Sequence, residues 1–147
     1  METKPNIEQI IHVFPNCPIQ NTDKNWCSAF VCFCCVKAGF DIPIRPKESI
    51  SCNLAGCGAW EEWVMINKKM GYHLADNNTY TPEAGDIVLF DKVFCNSEHD
   101  HIGIIIECKL DSIVVTEGNI NNISGVIERK IDEHIRAYIK ILKTSSQ

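Results

Sequence analysis

The chain lacks the sequence features of nucleic-acid-binding and membrane proteins. Its 14 basic residues are outnumbered by 19 acidic ones, which gives a net charge of −5, and no basic block interleaved with aromatic residues occurs. This balance argues against nucleic acid or an anionic membrane surface as a partner. No apolar run approaches the roughly 20 residues that a membrane-spanning helix needs. We therefore expect a protein that binds neither nucleic acid nor membrane.

Signals for secretion and repetition are lacking as well. Residues 1–6 are polar and do not begin a signal peptide. There is no internal repeat, no low-complexity tract and no long linker. We expect one domain over residues 1–147, made in the cytoplasm and not exported by the ordinary secretory route.

Cysteine, by contrast, is abundant. The chain has nine cysteines, an odd number, so at least one thiol stays unpaired within a monomer. No paired C-x-x-C knuckles occur, which disfavours a zinc ribbon. In a reducing cytoplasm most of these thiols would be small buried hydrophobes. A Cys52–Cys57 disulfide remains open for a protein that works outside the cell.

The first half of the chain predicts helices. We expect a short amphipathic helix over residues 6–14, a second over 25–38 that stops at Gly39, and a third over 59–69 that is closed by Gly71. The second helix has almost no polar face, so it should be buried nearly all round.

The second half predicts strands. After a turn at residues 82–85, segments rich in β-branched residues follow at 86–91, 102–108, 113–117, 126–131 and 135–142. Short connections favour antiparallel neighbours, so these segments should form a meander. The predicted class is α+β, with N-terminal helices packed on an antiparallel sheet of about five to six strands.

Cys27 lies at the start of the second predicted helix, and it is the only cysteine predicted to start a helix. There the unpaired backbone N–H groups and the positive end of the helix dipole stabilise a thiolate. Cys32, Cys34 and Cys35 lie in mid-helix, where burial would raise their pKa and keep them inert. Position alone leaves a second interpretation open, namely a packing cysteine beside Trp26.

Among the histidines, His101 is the best candidate for a base that serves Cys27. It directly precedes an apolar strand, which fixes its position, whereas His99 falls in the preceding loop. We interpret the other histidines as exposed on the surface or as hydrogen-bonded within the fold; they are His12, His73 and His134.

Glu117 and Asn119 are candidates to accept the ring N–H of His101, if the strand register allows it. A three-residue loop at 109–111 would set His101 opposite Asn119, with Glu117 on the diagonal. A two-residue turn at 110–111 would place these residues on opposite faces.

Four segments together resemble a known family. Residues 25–31 (NWCSAFV), 85–91 (GDIVLFD), 100–104 (DHIGI) and 117–119 (EGN) are similar to the signature blocks of the cysteine, histidine-dependent amidohydrolase/peptidase (CHAP) domain, and they come in the family's order. The resemblance implies a papain-like fold that cleaves amide bonds in bacterial peptidoglycan. The acidic calcium-binding run of some phage members is not found, so neither metal nor cofactor is implied.

By this resemblance, Cys27 is the nucleophile, His101 the base, and Glu117 with Asn119 the groups that orient and polarise the base. The reaction would be that of an N-acetylmuramoyl-L-alanine amidase or of a stem or cross-bridge endopeptidase, through an acyl-enzyme. The oxyanion would be held by the Cys27 backbone N–H and by a second donor near Asp23 or Asn25, with Trp26 on the substrate side.

Two alternative functions and two biological settings stay open at this stage. The same scaffold could serve a thiol acyltransferase or deamidase toxin. A zinc-binding module built from Cys95, His99, His101 and Cys108 is disfavoured, because His101 and Cys108 would be roughly 23 Å apart on a strand. The biological setting is either a phage-type lysin or an effector injected into a competitor, acting at the cell wall or periplasm and subject to a possible inhibitor or immunity protein.

Overall fold

A computed structural model describes residues 27–40, 42, 57–66, 70–76, 79–93, 96, 98, 100–120 and 123–141. These residues form two helices and six strands. The elements are α1 (Cys27–Lys37), α2 (Cys57–Ile66), β1 (Gly71–Leu74), β2 (Ile87–Phe90), β3 (His101–Cys108), β4 (Ser112–Ile120), β5 (Ile123–Lys130) and β6 (Ile135–Lys140). The α+β class is confirmed, while the helix predicted over residues 6–14 lies outside the described residues.

The strands form one sheet in the order β1-β6-β2-β3-β4-β5, and every neighbouring pair is antiparallel. Strands β2 to β5 follow one another as the predicted meander. The prediction fails for β6, which returns to lie between β1 and β2. The reason is its composition: Ile135, Ala137, Tyr138 and Ile139 are all buried, so both faces of β6 need cover and an edge position would expose them.

Helix α1 ends as its sequence predicts. Gly39 adopts a positive φ of 93°, and the N–H of Phe40 donates to the carbonyl of Cys35 at 3.1 Å. This is the left-handed closure that satisfies the last carbonyls of a helix. Neither described helix has the length and apolarity that crossing a bilayer requires.

Helix α2 differs from its predicted bounds of 59–69. It begins at Cys57 and ends at Ile66, and Gly71 opens strand β1 instead of closing the helix. The short β1 has no strand pattern of its own, because it is held by pairing with β6 far along the chain. A second cysteine therefore stands at the start of a helix.

The core has two parts, on opposite faces of the sheet. One joins both helices, including Trp60 and Trp63, to Ile87, Leu89, Ile102, Ala137 and Ile139. The other contains Val88, Phe90, Ile105, Ile113, Val115, Ile135 and Tyr138. Helix α1 packs against β3 and β4, which brings its first residue to the strands that carry the predicted histidine and carboxylate.

Candidate active site

Cys27 is the first residue of α1, and its side chain is almost completely buried. A hydrogen bond from the Cys57 thiol lowers its pKa to about 5, helped by the hydrogen bond and the charge of His101 and opposed by burial. The N–H groups of the first helical turn act in the same direction. Cys27 is therefore placed and polarised as a thiolate.

His101 is the first residue of β3 and is completely buried. Its Nε2 lies 2.5 Å from Oε1 of Glu117. Burial alone would lower its pKa, but hydrogen bonds and charge interactions with Cys27 and Glu117 raise it to about 9. Because Nε2 is engaged by Glu117, Nδ1 is the ring nitrogen that can exchange a proton with the Cys27 thiol.

The two pKa shifts have opposite signs and describe one pair. A thiol whose pKa falls to about 5 and an imidazole whose pKa rises to about 9 form a thiolate–imidazolium ion pair at neutral pH. These opposite shifts favour transfer of the proton from sulfur to nitrogen before a substrate binds. This is the activated state of a cysteine nucleophile.

Glu117 lies on β4 with no exposed surface, and Arg129 on β5 clamps it from the other side. Nε of Arg129 donates to Oε2 at 2.5 Å, and Nη2 donates to Oε1 at 2.8 Å. Burial would raise the pKa of Glu117, but Arg129 and His101 together lower it. The carboxylate is thus ionised and fixed at two points.

The register that joins His101 and Glu117 arises differently from the predicted one. The N–H of Lys109 donates to the carbonyl of Ser112 at 2.9 Å, so the turn has two residues, and the three-residue loop is wrong. A bulge between Ile105 and Glu107 then shifts the ladder by one residue and pairs Ile104 with Thr116. The bulge compensates for the shorter turn, because its extra residue returns His101 and Glu117 to the same face of the sheet.

Gly103 lets the Glu117 side chain reach the histidine. A Cβ at this position would lie 2.9 Å from Cγ of Glu117 and 2.4 Å from Cγ1 of Val115. The side chain of Glu117 therefore passes directly over the glycine on its way to His101.

The remaining predicted residues are placed only in part. Asn119 lies on β4 two residues after Glu117, but its side chain is outside what the structure describes. Asp23, Asn25 and Trp26 lie outside the described residues, as does the competing base His99.

Comparison with known families agrees with this geometry. The model of the CHAP domain matches residues 19–119, about two thirds of the chain. The chain belongs to the CHAP-domain family. No curated protein and no solved structure matches it. Membership points to a peptidoglycan hydrolase or a related amidase or peptidase of the cysteine- and histidine-dependent kind.

Two residues of the site were not predicted as site residues from the sequence, Arg129 and Cys57. Arg129 lies beyond the matched segment, and nothing in its own surroundings links it to Glu117 until β4 and β5 are paired. Cys57 escaped because α2 was predicted to start two residues later. The prediction that Cys27 alone starts a helix is therefore wrong.

Cys57 carries a free thiol whose Sγ lies 3.8 Å from Sγ of Cys27. The Cys57 sulfur faces Cys27, and Cys52, the other half of the disulfide that the sequence left open, lies outside the described residues. The hydrogen bond to Cys27 and burial raise the pKa of Cys57 well above its ordinary value. The two thiols therefore take different roles: one is ionised and the other keeps its proton as a donor.

The cysteines inside α1 behave as predicted. Burial raises the pKa of Cys32 and of Cys35 to about 12, and it also raises that of Cys34. The described histidines outside the site make contacts of their own. The ring of His73 stacks on that of Tyr80 with 3.7 Å between the ring centroids, and Nδ1 of His134 lies 3.0 Å from the carbonyl oxygen of Asp91.

The zinc-module alternative finds no geometric support in the described part of the chain. His101 is buried at one end of β3, and Cys108 is exposed at the other end of this eight-residue strand. Within the described ranges no group of three or more His, Cys, Asp or Glu side chains converges. Cys95 and His99, the other two proposed ligands, lie outside those ranges.

Proposed function

We propose that this CHAP domain hydrolyses an amide bond in bacterial peptidoglycan through a Cys27 acyl-enzyme. The observation that carries the proposal is the grouping of three buried side chains, in which Nε2 of His101 lies 2.5 Å from Oε1 of Glu117 and the charge of His101 acts on the Cys27 thiol. Family membership supports the substrate class, and the ion pair supports the reaction type.

The reaction follows from the charges in the site. The Cys27 thiolate attacks the scissile carbonyl, and the backbone N–H of Cys27 at the start of α1 stabilises the oxyanion. A second donor near Asp23 or Asn25, with Trp26 beside it, completes this part of the proposal. Nδ1 of the His101 imidazolium gives its proton to the leaving amine, which leaves a thioester on Cys27.

Hydrolysis of the thioester reverses the proton transfer. Neutral His101 takes a proton from a water molecule, whose oxygen attacks the acyl carbon. The acid product and the Cys27–His101 ion pair result. Glu117 holds Nε2 throughout and stabilises the imidazolium, and we assign Asn119 a supporting role in orienting the ring.

The arrangement also supports a papain-like fold as part of the proposal. A nucleophilic cysteine begins a buried helix, and the histidine begins a strand of the antiparallel sheet against which that helix packs. These are the relations that the family resemblance implies.

The decisive test compares Cys27→Ala with Cys108→Ser on purified peptidoglycan. Cys108 is an exposed thiol at the far end of β3, so its replacement controls for the loss of a cysteine as such. We expect release of new amino groups by the wild type and by Cys108→Ser, and none by Cys27→Ala. Substantial hydrolysis by a folded Cys27→Ala variant would overturn the assignment.

Mass spectrometry of the released fragments then identifies the bond. An amidase frees whole stem peptides that begin with alanine, whereas an endopeptidase leaves shortened stems on the glycan. A thiol acyltransferase or deamidase would share the acyl-enzyme. Transfer of the acyl group to an added amine, or release of ammonia from a glutamine side chain, would identify these reactions instead.

The proposed place of action is the cell wall or periplasm, reached by lysis or injection. We expect expression in a bacterial host to be toxic when the chain is fused to an export signal and harmless without it, with Cys27→Ala removing the toxicity. Equal toxicity without export would contradict this setting. A co-expressed immunity protein would restore growth of the exporting strain.

A further inference from the structure

Two cysteines from different helices meet in the active site. Cys27 begins α1 and Cys57 begins α2, thirty positions apart in the chain, and their sulfur atoms lie 3.8 Å apart. Both side chains are buried, with exposures of 4% and 9%. The contact is therefore held by the packing of two helices and does not depend on a flexible loop.

This separation is a non-bonded contact from which a disulfide can form after a small movement of the two side chains. A disulfide has an S–S length of about 2.0 Å, so the two sulfur atoms must approach by roughly 1.8 Å. Rotation about the side-chain bonds of two residues already in contact provides movements of this size. Of the described cysteines, Cys57 is the one whose thiol forms a hydrogen bond with the Cys27 sulfur.

We propose that Cys27 and Cys57 form a reversible disulfide that blocks the nucleophile, with a hydroperoxide as the oxidant. The Cys27 thiolate attacks the terminal peroxide oxygen and the O–O bond breaks, so that Cys27 becomes a sulfenic acid while the departing oxygen takes the proton of the His101 imidazolium and leaves as alcohol or water. The Cys57 sulfur then attacks the Cys27 sulfur, the S–OH bond breaks, and water leaves with the Cys57 proton. Cysteine sulfur loses two electrons in total and the peroxide gains them.

The charges in the site favour this order of events. Cys27 is the described thiol with the strongest thiolate character, so it reacts first with peroxide. The nearby thiolate is one of the causes that raise the pKa of Cys57. Conversion of Cys27 to a neutral sulfenic acid removes that negative charge, so Cys57 becomes a better nucleophile when it is needed.

The consequence for activity rests on the proposed function, whereas the disulfide itself does not. Blocking Cys27 in a disulfide stops the proposed hydrolysis and also protects the sulfur from irreversible oxidation to sulfinic acid. Reduction by a dithiol restores both thiols. The enzyme would thus be inactive where peroxide is abundant and active after reduction.

Peptide mapping tests the proposal on the full chain. The wild type is treated with limiting hydrogen peroxide, free thiols are alkylated, and the protein is digested without reduction. We expect the Cys27 peptide to be joined to the Cys57 peptide, with hydrolysis lost and then recovered on adding dithiothreitol. Cys108→Ser should behave in the same way.

The variant Cys57→Ser tests whether Cys57 protects the Cys27 sulfur from irreversible oxidation or only packs against it. Without the partner thiol, peroxide should convert Cys27 to sulfinic or sulfonic acid, and dithiothreitol should no longer restore activity. A wild-type map in which Cys57 stays alkylatable while Cys27 is oxidised, or in which Cys27 is joined to another cysteine, would overturn the proposal. That map decides even if Cys57→Ser does not fold, and it is independent of whether the protein hydrolyses peptidoglycan.

Discussion

At the scale of single residues, the surroundings of a thiol decide which cysteine is reactive. Cys27 and Cys32 are both buried in the same helix, yet the pKa of Cys27 is lowered to about 5 and that of Cys32 is raised to about 12. Burial penalises both thiolates. Only Cys27 has the Cys57 thiol and the His101 ring beside it to offset that penalty.

The Cys27–His101 ion pair predicts a bell-shaped pH dependence of kcat/KM. Cys27 is an acid whose pKa is lowered to about 5, so the thiolate is lost as the pH falls through about 5. His101 has a pKa raised to about 9, so the imidazolium is lost as the pH rises through about 9. We expect a plateau between these limits, whose limbs belong to the pair as a whole.

The rate of iodoacetamide alkylation measures the ionisation of Cys27 without a substrate, and therefore tests the acid side of this pH profile. The Cys27-dependent part, obtained by subtracting the rate of Cys27→Ala, should remain high down to about pH 5. A Cys27-dependent rate that rises only near the pKa of a free thiol, about 8.5, would contradict the ion pair.

In the proposed reaction Arg129 is a positioning residue, because it would act through its contacts with Glu117. Arg129→Lys keeps the charge but loses the two-point contact with the carboxylate. We expect kcat to fall by about tenfold to a hundredfold as Glu117 and His101 lose alignment. KM should stay nearly unchanged, since Arg129 contacts the carboxylate behind the histidine.

Steady-state kinetics on a soluble muropeptide, alongside thermal unfolding, checks this expectation. Lys109→Ala, which removes an exposed ion pair with Glu128, is the control and should leave both kinetic constants unchanged. An Arg129→Lys variant with wild-type kcat would show that Glu117 needs no clamp.

The sequence could predict that Cys27, His101 and Glu117 lie close together, because Cys27 and His101 each begin an element and Glu117 follows a run of β-branched residues. Arg129 and Cys57 could not be predicted in this way. Arg129 meets Glu117 only through the pairing of β4 with β5, and Cys57 meets Cys27 only through the packing of α2 beside α1. Their roles depend on contacts between elements, which no local pattern encodes.

At the scale of elements, strand β3 carries two irregularities that serve the site. Its bulge after Ile105 corrects the register, and Gly103 leaves room for the Glu117 side chain. The strand itself was predictable from its β-branched run. The bulge could not be predicted, because the alternation of apolar residues along the strand is compatible with a turn of either length.

Gly103→Ala should impair both stability and activity. The new Cβ would overlap Cγ1 of Val115 at 2.4 Å and crowd Cγ of Glu117 at 2.9 Å. We expect a loss of about 1–3 kcal/mol in unfolding free energy, typical of overpacking, measured by urea denaturation. Activity per folded molecule should fall as well, because Glu117 is pushed away from His101.

Gly39→Ala is the matched control for this variant. A Cβ on Gly39 meets nothing within 4 Å, and its φ of +93° makes the substitution costly through the backbone alone. We expect it to lower stability by about 1–2 kcal/mol with full activity per folded molecule. Equal activity of the two variants would mean that Gly103 serves only packing.

At the scale of the whole molecule, an ion-pair network fastens α2 to the sheet. Glu61 of α2 accepts hydrogen bonds from the Tyr72 hydroxyl of β1 at 2.5 Å and from Nε of Arg136 of β6 at 2.8 Å. Arg136 also reaches Asp91 at the end of β2, at 3.3 Å. Because α2 begins with Cys57, this network also fixes the second thiol relative to Cys27.

Arg136→Met should therefore destabilise the whole domain. It removes the cation from the largely buried carboxylate of Glu61, which is then left without its ionic partner. The loss should be about 1–3 kcal/mol, below the value for a fully buried pair because 24% of the Arg136 side chain is exposed. The double variant Glu61→Gln, Arg136→Met should recover part of this loss, since it removes both charges.

Urea denaturation measures these losses as shifts of the unfolding midpoint, provided that the dependence of the unfolding free energy on urea concentration is unchanged. Lys109→Ala, which removes an exposed ion pair, is the control and should cost less than about 0.5 kcal/mol. If Arg136→Met were no less stable than Lys109→Ala, the network would not be what holds α2, and with it Cys57, against the sheet.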